Sequence, residues 1–370
     1  GFASAILNSY QRFAVPALTP ILLNLSLIAA ALWFAPSFDE PAVALALGVL
    51  VAGFAQLLFQ VPALAGIGLV PRPRWAPRHE GVRRIMVLMV PALFGVSVSQ
   101  INLLLDTVLA SLLPTGSVSW LYYSDRLTEL PLGVFAIAIA TVILPTLSGQ
   151  RARADDPAFA STLSWAIRSV LLIAIPATAA LAVLAEPLLA TLFQYGAFSG
   201  DDRAMAAASL RAYTLGLGAF MLVKALAPGF YAREDMRTPV RIGIIAMVAN
   251  MVLNVAFVFP LMWWLNLGHV GLALATSVSA WLNALLLFRG LRRDAVLPQG
   301  SLPFKWLVQV TAATAAMLAI LLWLMPDHAM WAEWLWWQRA GQLGILCSAG
   351  LGVFGVSLLC CGVRPADLRR

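Results

Sequence analysis

The chain has 370 residues, 61% of them hydrophobic and only 11% charged, against about 25% charged in soluble globular domains. A water-soluble fold of this size could not cover that much apolar surface with polar groups, so a soluble enzyme or binding domain is excluded and a bilayer protein is implied. The net charge of +7 is scattered in short clusters between apolar runs; that pattern orients a membrane protein and does not build the basic, aromatic-lined groove nucleic acid requires.

In chain order, residues 1–8 read as the tail of a helix. Ten apolar runs then follow near 14–35, 42–69, 85–113, 117–147, 161–185, 205–231, 239–260, 264–288, 305–325 and 339–362. Each is long enough to cross the roughly 30 Å hydrocarbon layer as a helix. The runs are continuous rather than alternating, which excludes a membrane β-barrel. The sequence therefore predicts an all-α polytopic membrane protein of about ten transmembrane helices. The start Gly1-Phe2-Ala3 has neither a Met nor a charged leader and reads as the interior or C-terminal part of a longer protein.

Alternate links are basic. Arg72, Arg74, Arg78, Arg83 and Arg84 follow the second run, and Arg151 and Arg153 the fourth. Arg233, Arg237 and Arg241 follow the sixth, Arg289, Arg292, Arg293 and Lys305 the eighth, and Arg364, Arg369 and Arg370 close the chain. The other links carry Asp39, Glu40, Glu186, Asp201, Asp202, Asp327 and Glu333. The positive-inside rule places the basic links and both ends of the chain in the cytoplasm. Trp331, Trp334, Trp336 and Trp337 are then expected at the outer interface as an aromatic belt.

Charge at bilayer depth costs at least ~2.5–3.5 kcal/mol per residue, so the ionisable residues inside the runs are the functional candidates. Asp125, Arg126 and Glu129 lie within five residues in the fourth run, with Asp125 about 12 Å inside the helix at 1.5 Å per residue. Spacings of three and four place them on one broad face. They form either a salt bridge that fixes helix packing or a substrate or coupling site in a wet cavity. Pro131 withholds the hydrogen bond owed to Leu127, which predicts a kink or local opening. Asp106, with Asn250, Asn254 and Thr276 on two other runs, could offer hard oxygen ligands to a small cation; equally, such residues join membrane helices by hydrogen bonds. Lys224 either snorkels toward the cytoplasmic side or lines a cavity.

Phosphate-cradling glycine loops and His-Glu-x-x-His are missing from the sequence, so an ATP-driven pump or a metalloprotease is not indicated. Cys347, Cys360 and Cys361 fall in or beside the last run and read as small apolar residues.

Several blocks carry a family resemblance: Ala5-Ile6-Leu7-Asn8-Ser9-Tyr10 with Arg12-Phe13, Gly95 to Ile101 (Gly-Val-Ser-Val-Ser-Gln-Ile), Gly116 to Leu127, Phe193-Gln194-Tyr195-Gly196, and Val223 to Tyr231 followed by Thr238-Pro239. Together they resemble the MurJ (MviN) family of lipid II flippases, within the multidrug/oligosaccharidyl-lipid/polysaccharide exporter superfamily. The resemblance implies part of a two-lobed exporter-type bundle plus a C-terminal helix pair. Residues 1–70 would be the remainder of an N-terminal lobe, 85–293 a C-terminal lobe of six spans, and 300–370 the helix pair with a cytoplasmic tail; roughly four preceding helices would be missing. It implies a transporter and not an enzyme, moving undecaprenyl-diphosphate-linked muropeptide (lipid II) across the bacterial inner membrane by alternating access. Asp125, Arg126, Glu129 and Lys224 would face the substrate. No organic cofactor is implied, but a sodium ion would sit on Asp106, Asn250, Asn254 and Thr276, where Asn254 replaces an acid of some members. Other expected partners are membrane lipids and other cell-wall synthesis proteins. The competing readings are an exporter of drugs or another lipid-linked glycan, an intramembrane acid/base enzyme using Asp125 and Glu129, and a scaffold. Against the enzyme, Arg126 beside both carboxylates disfavours a general acid.

Overall fold

Inside a bilayer each backbone N–H and C=O must pair within its own segment, so apolar runs of this length become helices. The computed structural model describes residues 2–10, 12, 14–69, 79–297, 303–327 and 330–363, apart from the side chains of 8, 9, 84 and 87–99. Among these residues every regular element is a helix: α1 Phe2–Ser9, α2 Ala14–Ala29, α3 Pro41–Ala65, α4 Glu80–Ser111, α5 Ser117–Pro131, α6 Ile137–Ala152, α7 Asp156–Val183, α8 Ala185–Leu192, α9 Gly200–Tyr231, α10 Arg237–Leu265, α11 Gly268–Arg293, α12 Phe304–Leu324, α13 Met330–Glu333 and α14 Trp336–Cys360. Nine stretches of the described residues are long and apolar enough to cross a membrane. The remaining expected run, 85–113, lies on α4, a helix of 32 residues. Of the basic-link residues, Arg72, Arg74, Arg78, Arg364, Arg369 and Arg370 lie outside the described residues.

Two local outcomes follow from single residues. Directly after Pro131 the chain widens into a π turn, Leu132–Ala136, which carries α5 into α6 as one continuous 36-residue span. The proline's missing N–H frees a carbonyl, and the wider turn absorbs the fault without ending the helix. Between α10 and α11, Asn266 adopts the left-handed conformation (φ 56°) and its N–H reaches back to Met262 and Leu261 carbonyls. That cap moves the link to residues 266–267, a few residues later than the apolar pattern suggests.

The chain divides into two compact units, residues 1–87 and 88–370, with the boundary inside α4. In the first, α3 meets the end of α2 where Gly48 lies against Ala30, the first residue of the π turn Ala30–Phe34: a Cβ on Gly48 would stand 2.8 Å from that of Ala30. Ser26 Oγ donates to the Gly48 carbonyl at the same crossing, 2.6 Å.

In the second unit α9 is the central helix, flanked by α5, α7 and α11, while α10 packs on α11. Small residues let these backbones approach. A Cβ on Gly216 of α9 would sit 2.7 Å from Ser277 Cα, and one on Gly271 of α11 would sit 2.9 Å from the Phe257 backbone of α10. Ser277 Oγ then donates to the Ala212 carbonyl at 2.7 Å, and Trp281 Nε1 to the Leu215 carbonyl at 2.8 Å, stitching α11 to α9. Because the obstacle at Gly216 is backbone, it cannot swing aside. Gly216→Ala is expected to destabilise the protein by about 1–3 kcal/mol, read as a lower unfolding midpoint in mixed detergent; an unchanged midpoint would refute the close crossing.

α12 and α14 pair with each other, α12 on α7 and α14 on α8. The anticipated aromatic belt divides here. Trp336 and Trp337 are exposed, but Trp331 is 1% exposed and packs among Leu184, Met317, Leu321 and Leu346. A short helix, α13, turns that indole inward, so Trp331 is a core residue.

At the opposite, basic end, the helix-terminating residues Ala154, Glu234 and Ala295 are left-handed without being glycine. Arg151 pairs with Asp156 (3.2 Å) and Arg233 with Asp294 (2.9 Å). Asp235 accepts the Thr238 N–H at 3.0 Å, and hydrogen bonding from Thr238 holds its carboxyl below the usual range.

Candidate functional site

α5 buries Leu121, Ser124, Leu127 and Thr128 and leaves Tyr122, Arg126, Glu129 and Leu130 exposed. Ser124 fixes this rotation: its Oγ lies 2.7 Å from both the Trp120 carbonyl of its own helix and the buried Ala206 carbonyl of α9. Trp120 adds a second anchor through Nε1, which donates to Asp202 at 2.7 Å. Asp202 in turn closes the capping box of α9 with Ser199. Tyr123 stacks on Phe193 (4.6 Å) and Phe198 (5.3 Å), so two of the sequence blocks behind the family resemblance meet here.

On the open face, Arg126 donates to Glu129 at 2.7 Å and lies 4.9 Å over the Tyr122 ring. Arg126 and Glu129 side chains are 54% and 50% exposed. A guanidinium has five donors in a planar fork, and this pairing leaves most of them free. Asp125 departs from the expected arrangement. It is half-buried at the edge of this face, with no hydrogen bond or ion pair among the described residues. Of the two carboxylates only Glu129 orients the arginine, because a spacing of three brings it back over Arg126 whereas adjacent residues diverge by about 100°.

A second cluster gathers the residues considered for a cation. Asn254 Nδ2 donates to Asp106 Oδ1 at 2.7 Å and Asn102 Nδ2 to Asp106 Oδ2 at 3.2 Å. Asn254 Nδ2 is also 3.3 Å from Asn250 Oδ1, Asn250 Nδ2 is 3.4 Å from Thr276 Oγ1, and Thr276 donates to the Leu272 carbonyl. The structure thus joins Asp106, Asn250, Asn254 and Thr276 and adds Asn102. The polarity is that of a hydrogen-bond latch: a cation requires oxygens turned inward, yet two amide N–H groups face the carboxylate. Asn102 Oδ1 and Asn254 Oδ1 are buried without a hydrogen-bond partner. So oriented, the amides bond to the carboxylate; turned over, Asn102 and Asn254 would present those two oxygens beside Asp106.

Lys224 lies about 10 Å from the basic end of α9, seven residues before its last. It lines a cleft of about 390 Å³ with Asn102, Asn250, Thr276, Ser279 and Asn283. Lys224 therefore accompanies the Asp106 cluster, and Asp125, Arg126 and Glu129 are not part of this cleft. Among the described residues Lys224 forms no ion pair.

Two charged residues inside apolar runs carry no weight in the sequence reading. Arg168 lies twelve residues into α7, and its Nε is buried without a hydrogen-bond partner. Arg339 of α14 is 7% exposed and donates to four backbone carbonyls, those of Trp334, Ala190, Gln194 and Ala332. A lone arginine in an apolar run was the available signal in both cases.

The fold is similar to a solved structure described as "Lipid II flippase MurJ, inward closed conformation", with a TM-score of 0.75 over 96% of this chain and 69% of that one, at 23% identity. In sequence the chain is 48% identical over 367 residues to the probable lipid II flippase MurJ of Vibrio cholerae, covering 99% of this chain and 69% of the relative. It is 47% identical to the protein of the same description from Haemophilus influenzae, covering 99% and 72%. The family model described as "Lipid II flippase MurJ" matches residues 1–337. A match of that length, with relatives this close along nearly the whole chain, makes the chain a member of the MurJ lipid II flippase family.

Proposed function

We propose that the protein moves lipid II from the cytoplasmic to the periplasmic leaflet of the bacterial inner membrane by alternating access. It acts as a transporter and not as a catalyst, with its basic links in the cytoplasm. The observation that carries this reading is the Arg126–Glu129 pair: an exposed guanidinium, more than 10 Å along α5, with donors to spare. Arg126 binds the diphosphate through its free N–H groups, and Glu129 keeps the fork in place and offsets its charge when the anion leaves. A membrane potential supplies about 2.3 kcal/mol per charge per 100 mV, enough to bias a charged site without ATP. The reading is tested by reconstituting the full-length protein into proteoliposomes and following fluorescent lipid II between leaflets. Translocation supports it; equal transport of unrelated lipid-linked glycans overturns the substrate assignment.

The Asp106 cluster serves this cycle as a hydrogen-bonded latch between α4, α10 and α11. Asn254→Asp would set a second carboxylate where the amide now donates, and a cation would be needed between them. The variant is expected to acquire sodium-specific thermal stabilisation, approaching 1.4 kcal/mol per tenfold increase above its Kd, while the parent responds alike to sodium and potassium. A sodium-specific shift in the parent that Asp106→Asn removes would refute the latch.

A further inference from the structure

We infer that the protein holds a zwitterionic aminophospholipid, of the phosphatidylethanolamine type, in a groove between α7, α9, α11 and α12. The groove has a volume of about 530 Å³ and lies at the end of the helices away from the basic links. It is distinct from the Arg126 face and from the Lys224 cleft, and it does not depend on the flippase reading.

The walls are shaped for a hydrocarbon chain. Ala179, Ala182 and Ala208 keep them shallow. Thr214 and Thr314 also line the groove, but their hydroxyls donate to the Arg211 and Val310 carbonyls of their own helices, at 2.7 and 2.9 Å. Those two threonines therefore offer no free hydroxyl proton to the groove. Among the described residues Arg211 is the only charged one lining it. Its Nε donates to the Ala182 carbonyl near the end of α7 (3.3 Å), and its NH2 pairs with Glu186 at the start of α8 (3.0 Å).

This pair selects the headgroup. The Arg211 side chain stays 45% exposed, so its remaining N–H groups can take a lipid phosphate. Glu186 stands beside that position and favours a headgroup with a cation next to its phosphate. A primary ammonium can hydrogen-bond to the carboxylate; a quaternary amine cannot. A headgroup with negative charge only, including a prenyl diphosphate, meets Glu186 as a like charge.

The test uses native mass spectrometry of the full-length protein titrated with dioleoyl-phosphatidylethanolamine, -phosphatidylcholine and -phosphatidylglycerol, and with undecaprenyl diphosphate. Phosphatidylethanolamine is expected to bind about tenfold more tightly than phosphatidylcholine, the equivalent of one charge-assisted hydrogen bond. Glu186→Gln should reduce that preference to within about twofold. Ala208→Leu, which fills the groove one helical turn from Arg211, should lower occupancy by all phospholipids without changing the melting temperature, and so separates groove binding from damage to the fold. Equal binding of the three phospholipids, tighter binding of undecaprenyl diphosphate, or parental occupancy in Ala208→Leu would each overturn the inference.

Discussion

Arg126→Ala is expected to reduce lipid II translocation by about a hundredfold while leaving the protein folded. The size follows from two lost charge-assisted hydrogen bonds to phosphate, about 3 kcal/mol in all. The specificity follows from exposure: Arg126 touches Glu129 and the Tyr122 ring and supports no buried carbonyl. An exposed ion pair adds little to stability, so the melting temperature should stay within a degree or two of the parent. Arg126→Lys keeps the charge but loses the planar fork and should recover only part of the activity. Glu129→Gln frees the guanidinium from its partner; its effect is expected to be smaller than that of Arg126→Ala, because the phosphate-binding donors remain. The measurement is the initial rate of fluorescent lipid II translocation at fixed membrane potential. A parental rate in the alanine variant would remove Arg126 from the transport site.

Arg339→Ala should have the largest effect on stability, about 3–5 kcal/mol. Its guanidinium donates over 2.8–3.4 Å to Trp334, Ala190, Gln194 and Ala332 carbonyls, linking the start of α14 to the end of α8 and to α13. Two of the acceptors lie at or just beyond the C-terminus of α8, where the helix dipole favours a cation. Truncation leaves these carbonyls without donors, and each buried unsatisfied group costs about 1–3 kcal/mol. Lysine cannot span four acceptors from one plane and should restore less than half of the loss. Equilibrium unfolding in a denaturing detergent reads this directly. A change below about 1 kcal/mol would show that water replaces the arginine at that junction.

These two arginines mark the boundary between what the sequence by itself determined and what the tertiary structure decided. Sequence alone determined the helical runs, because a bilayer leaves a polar backbone no other partner. It also determined the fault at Pro131, a property of one residue's missing N–H. The short spacing of Asp125, Arg126 and Glu129 brought those residues into view, since charge at membrane depth is costly wherever it faces. What it could not determine was direction and distant partnership. Whether Arg126 and Glu129 face outward while Asp125 is half-buried depends on the rotation of α5, which Ser124 sets by bonding to Ala206, 82 residues away. Asp106 and Asn254 are 148 residues apart, and only the tertiary fold adds that distant amide to the one Asn102 donates from the same helix. Trp331 reads as an interfacial residue in the linear chain and Arg339 draws no notice there; α8 and α13, short helices in the links, bury both. Periodicity records which residues avoid water, whereas the partner of a buried polar group is fixed by contacts between segments far apart in the chain.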